Sequence, residues 1–175
     1  MKVLVVTNMY PTEKSPFYGI FVKEQVESLR KEGISADVEF INGKENRLNY
    51  FTSIIRLIKK LKRVKYDIIH AHHTYCIYPI IISKFITQIK APVILTFHEG
   101  EVHKAINLKL RNVDFIKRLV FSKKIKKVAL SMVDFVISVQ EELVKELNFR
   151  GKCVILPCGV DLDLFRPLEK LWCRE

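Results

Sequence analysis

Six short runs of β-branched and aliphatic residues, alternating with segments of helical spacing, limit what this chain can fold into. The runs cover residues 2–7 (KVLVVT), 36–41, 67–72 (DIIHAH), 92–97 (PVILTF), 134–139 (DFVISV) and 153–156. The first is apolar at successive positions, which suits a strand buried on both faces. Between the runs, residues 20–32 place Phe21, Val22, Val26 and Leu29 at helical spacing, and Gly33 supplies a stop. Residues 50–64 repeat the pattern with Phe51, Ile54, Ile55, Leu57, Ile58 and Leu61. Residues 76–89 are apolar and read as a buried helix, 104–131 as a long basic amphipathic region broken near Asp114, and 141–147 as a short helix. Strands joined by helical crossovers are parallel, and the crossovers are right-handed. The expectation is an α/β fold: a doubly wound, Rossmann-like parallel sheet of about six strands with helices on both faces.

Size and composition agree with one folded unit. A chain of 175 residues has room for one domain and a short tail, and a domain of this size buries roughly 70% of its unfolded surface without a disulfide or metal. With 49% hydrophobic and 28% charged residues, disorder is excluded. The net charge of +11 is unevenly placed: residues 56–65 carry +6 and residues 101–130 carry +7, so the remainder is slightly acidic at −2. Such patches suit phosphorylated ligands, anionic lipid or nucleic acid, or form a solvated helix face. No helix-turn-helix, zinc knuckle or RNP-type motif accompanies the charge, so nucleic acid is not expected as a partner. Cys76, Cys153, Cys158 and Cys173 make neither a C-x-x-C pair nor a zinc spacing. Met1-Lys2 runs straight into a strand-like segment, and the longest uncharged stretches, such as 71–83, are too short to span a bilayer. The expectation is a cytoplasmic protein with reduced thiols.

In doubly wound sheets ligands sit outside the carboxyl ends of the strands. The loops to inspect are therefore 8–19, 72–75, 98–103 and 157–161. The first ends at Gly19, immediately before a helix whose unpaired N–H groups and partial positive charge suit a phosphate; a plain turn is the competing reading. The fourth strand delivers Thr96-Phe97-His98-Glu99-Gly100-Glu101. His98 can accept a proton or bind a sugar hydroxyl, and a carboxylate there can orient it or bind hydroxyls itself. His70 and His72 lie two apart on a strand and share one face. His70 reads as structural, and His72, nearer the strand end, as a candidate to line the cleft.

Taken in order, these pieces resemble the N-terminal domain of the GT-B glycosyltransferases of the group-1, family-4 type, over residues 1 to about 167. KVLVVTNMYP with its glycine-containing loop resembles the first strand and donor-phosphate loop, and YDIIHAH the third strand. PVILTFHEGE resembles the T-x-H-G-x-D/E segment, VDFVISVQEELVKEL a further strand and helix, and VILPCGVDLDLFRP the I-P-N-G-V-D-x-x-x-F-x-P signature that leads into a second domain. Three positions depart from the pattern: only Gly19 is evident in the first loop, Glu99 stands where glycine is usual with Gly100 one place later, and Cys158 replaces asparagine. The E-x7-E spacing of Glu24 and Glu32 falls on the first helix and reads as surface charge. The D-x-D of Asp161 and Asp163 falls in the exit linker, and no metal is assigned to it.

The resemblance implies residues 1–167 as an acceptor-side domain and 168–175 as a truncated linker. It implies a retaining transfer of a sugar from a nucleotide-sugar donor to an acceptor glycan or glycolipid hydroxyl, with no metal or other cofactor. His98 and Glu101 would be catalytic, and Gly19, His72, Glu99 and Gly100 would contact donor or acceptor. A donor-binding C-terminal domain or chain would complete the cleft, and the isolated chain would be inactive. The basic region from Lys104 to Lys127 would rest on an anionic membrane at its inner face. The alternative is a non-catalytic sugar- or lipid-binding module that regulates a partner glycosyltransferase.

Overall fold

The computed structural model describes residues 1–98, 123–147, 149 and 151–159. In chain order these form β1 (Lys2–Thr7), α1 (Ile20–Lys31), β2 (Ser35–Phe40), α2 (Asn49–Arg63), β3 (Ile68–His72), a 3-10 turn (Thr74–Cys76), α3 (Ile77–Thr87), β4 (Val93–Phe97), α4 (Lys123–Ser131), β5 (Phe135–Ser138), α5 (Glu141–Leu147) and β6 (Cys153–Ile155). The six strands make one sheet in the order β2-β1-β3-β4-β5-β6, and every neighbouring pair is parallel. This is the doubly wound fold that the alternation predicts.

The order reverses once. From β1 the chain steps outward to β2, then crosses back over β1 to β3 and continues in the opposite direction. Right-handed crossovers of opposite direction place their helices on opposite faces. The core divides accordingly. Val3, Val5 and Ala36 pack with Val22 and Val26 of α1 on one face. Leu4, Val6, Ile69, Val93, Leu95 and Phe97 pack on the other, against α2, α3 and α4. Alternate residues of β1 therefore enter different cores, which is why the strand is apolar throughout.

Two aspartates close the ladder at the amino ends of the strands. Asp67 N–H donates to the Lys2 carbonyl (2.9 Å) while its carboxylate accepts Lys2 N–H (2.6 Å). Asp134 does the same to Val93, at 2.9 and 2.7 Å. These bonds extend the pairing one residue beyond β3 and β5. The α1 helix ends as Gly33 predicts. Gly33 has φ +77°, its N–H donates to the Arg30 carbonyl and Ile34 N–H to the Leu29 carbonyl, the two bonds of a Schellman motif.

One expectation fails. Residues 76–89 were expected to form a buried helix, yet α3 buries only Ile77, Pro79, Ile80 and Ser83 and leaves Ile82, Phe85 and Ile86 exposed. It is an outer-layer helix with one face on the sheet, and its outward positions carry apolar side chains where polar ones are usual. On α2 part of the basic run is spent internally: Arg56 (2.6 Å) and Lys60 (3.0 Å) both pair with Glu39, a buried carboxylate on the edge strand β2.

Two substitutions test this account by urea unfolding. Leu57→Ala removes a fully buried side chain from the larger core and lowers stability by about 2–5 kcal/mol. Asp134→Ala strips the partner from Val93 N–H and lowers it by about 1–3 kcal/mol.

Candidate functional site

The crevice of a doubly wound sheet opens where the strand order reverses, at the carboxyl ends of the strands. Here that point lies between β1 and β3, where Thr7 and His72 are register partners and His72 in turn faces Thr96 on β4. Unlike the apolar amino halves of these strands, this end is polar. Thr7, His70, His72, Thr96 and Ser138 are all buried.

Three imidazoles form a continuous row. His70 and His72 share one strand face with ring centroids 4.3 Å apart. His72 and His98 lie nearly parallel, 13° between rings and 5.6 Å between centroids, with His72 Nδ1 3.3 Å from His98 Nε2. His70 Nε2 meets Thr96 Oγ1 at 2.7 Å. Burial pushes His70 and His98 down to about 4, and for His70 the neighbouring His98 adds to it. His72 falls well below the usual histidine range, through burial first and then through His70 and His98. All three rings are neutral at pH 7. The contact between His72 and His98 then holds one N–H, donated by one ring to the other's bare nitrogen. His72 Nε2 is buried without a hydrogen-bond partner.

The first loop brings a helix to this row. Gly19 has φ +72°, and a Cβ there would strike the Met9 carbonyl group and approach Tyr10 N within 2.7 Å. Glycine alone fits that left-handed, crowded position, which turns the chain from the loop into α1. The α1 amino terminus has no side-chain cap and no acidic residue in its first turn, so its partial positive charge is uncompensated there. Phe21, in that turn, packs on His98 with ring centroids 4.6 Å apart. Gly19, His72 and His98 are thus brought together.

Glu99, Gly100 and Glu101 lie outside the described residues, as does most of the basic stretch from Lys104 to Lys127. Two further residues belong to the site and were not singled out from sequence. Asn8, the first residue after β1, donates from Nδ2 to Tyr50 Oη (2.9 Å), while its Oδ1 is buried without a partner. His73, directly after β3, holds φ +94°, a strained conformation for a non-glycine residue of the kind that gathers at functional sites. Their positions, one residue past a strand end at the switch point, were the available signal. Buried unsatisfied atoms are rare in folded proteins, and both of those among the described residues sit at the ends of β1 and β3. A shallow depression of about 650 Å³ lies at the opposite end of the sheet, lined by Lys62, Arg63, Lys65 and Lys90 among others; it contains no histidine and shares nothing with this constellation. Among the described residues no group of histidine, cysteine and carboxylate could hold a metal ion, and no helix is long and apolar enough to cross a membrane.

The depressed histidine values fix a pH dependence. A buried neutral histidine binds its proton less readily folded than unfolded, so stability is complete above about pH 6.5 and is lost as pH falls toward 4. At pH 5 the loss is on the order of 2 kcal/mol for each of His70 and His98, seen as a falling melting temperature between pH 7 and 5. Gly19→Ala combines left-handed strain with a backbone clash and costs about 2–4 kcal/mol by the same measurement.

Solved structures share this fold. Sucrose-phosphate synthase from Thermosynechococcus elongatus superposes with a TM-score of 0.65 at 18% identity, covering 99% of this chain and 52% of that one. A second structure of that protein gives a TM-score of 0.55 at 14% identity, covering 94% and 92%. The chain thus spans about half the length of the first of these proteins. No curated protein matches it significantly in sequence. The family model of Glycosyltransferase Family 4 matches residues 2–164, nearly the whole length, and the chain belongs to that family.

Proposed function

We propose that this chain forms the acceptor-side half of a retaining glycosyltransferase, which moves a sugar from a nucleotide-sugar donor to the hydroxyl of a glycan or glycolipid, with a separate C-terminal domain or chain holding most of the nucleotide. The observation that carries this reading is the contact between Phe21 and His98. It joins an uncapped helix terminus, suited to the negative charge that builds on a leaving diphosphate, to a neutral imidazole suited to a sugar hydroxyl.

In this reading each residue has a distinct task. Gly19 lets the loop backbone close over the start of α1, so that α1 N–H groups face the diphosphate. His98, with its basicity reduced by burial to about 4, is a poor proton acceptor at pH 7. It acts by hydrogen bonding to the transferred sugar or the acceptor, while His72 holds its ring in place. Glu101, with Glu99 and Gly100, continues from the same strand end and supplies further hydroxyl contacts. Half a cleft leaves the diphosphate solvated, and the rate then lacks both positioning and preorganised charge. The protein acts in the cytoplasm, beside its membrane.

Titration of the labelled chain with UDP-, GDP- and ADP-glucose tests the site by nuclear magnetic resonance. At least one donor shifts the Ile20 and Phe21 amides together with the His98 imidazole; silence at all three groups with every donor sinks the reading. In a mixture with a donor-binding chain, His98→Ala lowers the transfer rate by about 100-fold or more. A mixture whose transfer rate ignores His98→Ala assigns the chain to regulation of its partner instead.

A further inference from the structure

Exposed apolar side chains are divided unequally between the two faces of the sheet. The helix α1, on one face, exposes no large apolar residue. The helices of the other face expose Phe51 and Ile55 on α2, Ile82, Phe85 and Ile86 on α3, and Val128 on α4. Phe85 is 74% and Phe51 64% accessible, so these rings stand in water rather than rest on neighbours. The two helices are joined at mid-length, where Ser83 Oγ donates to the Ile54 carbonyl at 3.3 Å. Ile55 and Ile82, the next residues on each helix, flank that seam.

Charge on this face has one sign. Five of the α2 residues are Lys or Arg, α3 carries Lys84, α4 exposes Lys127, and none of the three helices contains an acid. The helix α1 by contrast mixes Lys23, Arg30 and Lys31 with Glu24 and Glu27. Both carboxylates of β2 are already engaged, Glu39 by Arg56 and Lys60 and Asp37 by Lys2 and Tyr66. Lys59, Lys62 and Arg63 are exposed and make no ion pair among the described residues.

Apolar side chains on a helix surface, rimmed by cations without acids, match an interface that is apolar in depth and anionic at its rim. A second copy of the chain would set two like-charged faces against each other. Nucleic acid would satisfy the cations and leave the isoleucines in water. We propose that the α2–α3 face docks on an anionic lipid bilayer, with Phe51, Ile55, Phe85 and Ile86 entering the headgroup–acyl boundary and Lys59, Lys62 and Arg63 meeting the headgroups. Both helices start at the strand ends that form the crevice, so a docked domain holds its mouth beside the bilayer, in reach of a lipid-linked acceptor. Only that last step rests on the glycosyltransferase reading; the docking is independent of it.

Co-sedimentation of the whole chain with vesicles tests the surface. Binding is expected to phosphatidylcholine–phosphatidylglycerol vesicles and to be at least about tenfold weaker with phosphatidylcholine alone. Phe51→Ser with Phe85→Ser weakens it at least about tenfold at an unchanged melting temperature, and so does Lys59→Glu with Lys62→Glu, which keeps the test open if the first variant fails to fold. Full binding by both double variants would place the membrane contact elsewhere, for example between Lys104 and Lys127, and overturn the proposal. It is equally overturned by indifference to both vesicle types, by self-association that Phe51→Ser/Phe85→Ser abolishes, or by preference for an oligonucleotide over vesicles. Donor titration reads none of these outcomes, so the docking surface and the transfer site stand or fall separately.

Discussion

The backbone pairing between β1 and β3 is the constraint on which the other features depend. Because β1 already pairs with β2 on its far side, the return of the chain to β3 forces the strand order to reverse, and the helices before and after that return leave on opposite faces. The reversal separates α1 from α3 above the sheet and opens a crevice between them. It also sets Thr7 opposite His72. From this register follow the position of the first loop, the direction in which α1 presents its amino terminus, and the reach of Phe21 to His98.

The sheet changes character along its length. Toward the amino ends, valine, leucine and isoleucine fill both faces, and the backbone is closed off by Asp67 and Asp134. Toward the carboxyl ends, two imidazoles, threonine and serine occupy buried positions, His98 is half-buried, and His73 sits at a strained φ. Apolar side chains of similar volume would suit stability better there, since each buried polar group demands a partner. Two atoms, Asn8 Oδ1 and His72 Nε2, have none. Such departures from local consistency mark where a fold serves chemistry rather than its own stability.

The outer layer shows a second asymmetry. The helix α1 is mixed in charge and covers its apolar face, whereas α2 and α3 expose phenylalanine and isoleucine, and Lys59, Lys62 and Arg63 of α2 make no ion pair among the described residues. Part of the basic run on α2 has a structural reason, the neutralisation of Glu39. Lys84 in turn donates to the Ala91 carbonyl just before β4, whereas Lys59, Lys62 and Arg63 pair with no carboxylate among the described residues.

Local periodicity was enough to read the strands, the helices and their parallel arrangement, because burial on both faces, helical spacing and glycine stops act over a few residues. Gly33 ended α1 as its position implied, and Gly19 was visible as the residue before the first helix and His98 as a strand-end residue. The sequence could not show that Phe21 meets His98, that His72 and His98, 26 residues apart, share one hydrogen-bond contact, or that Asn8 keeps an unpartnered oxygen. It also misled on α3, since an apolar segment looks the same whether a helix is enclosed or lies in an outer layer. These features depend on which strands become neighbours and what covers each face. That is decided by long-range burial through space, for which a periodic pattern along the chain carries no coordinate.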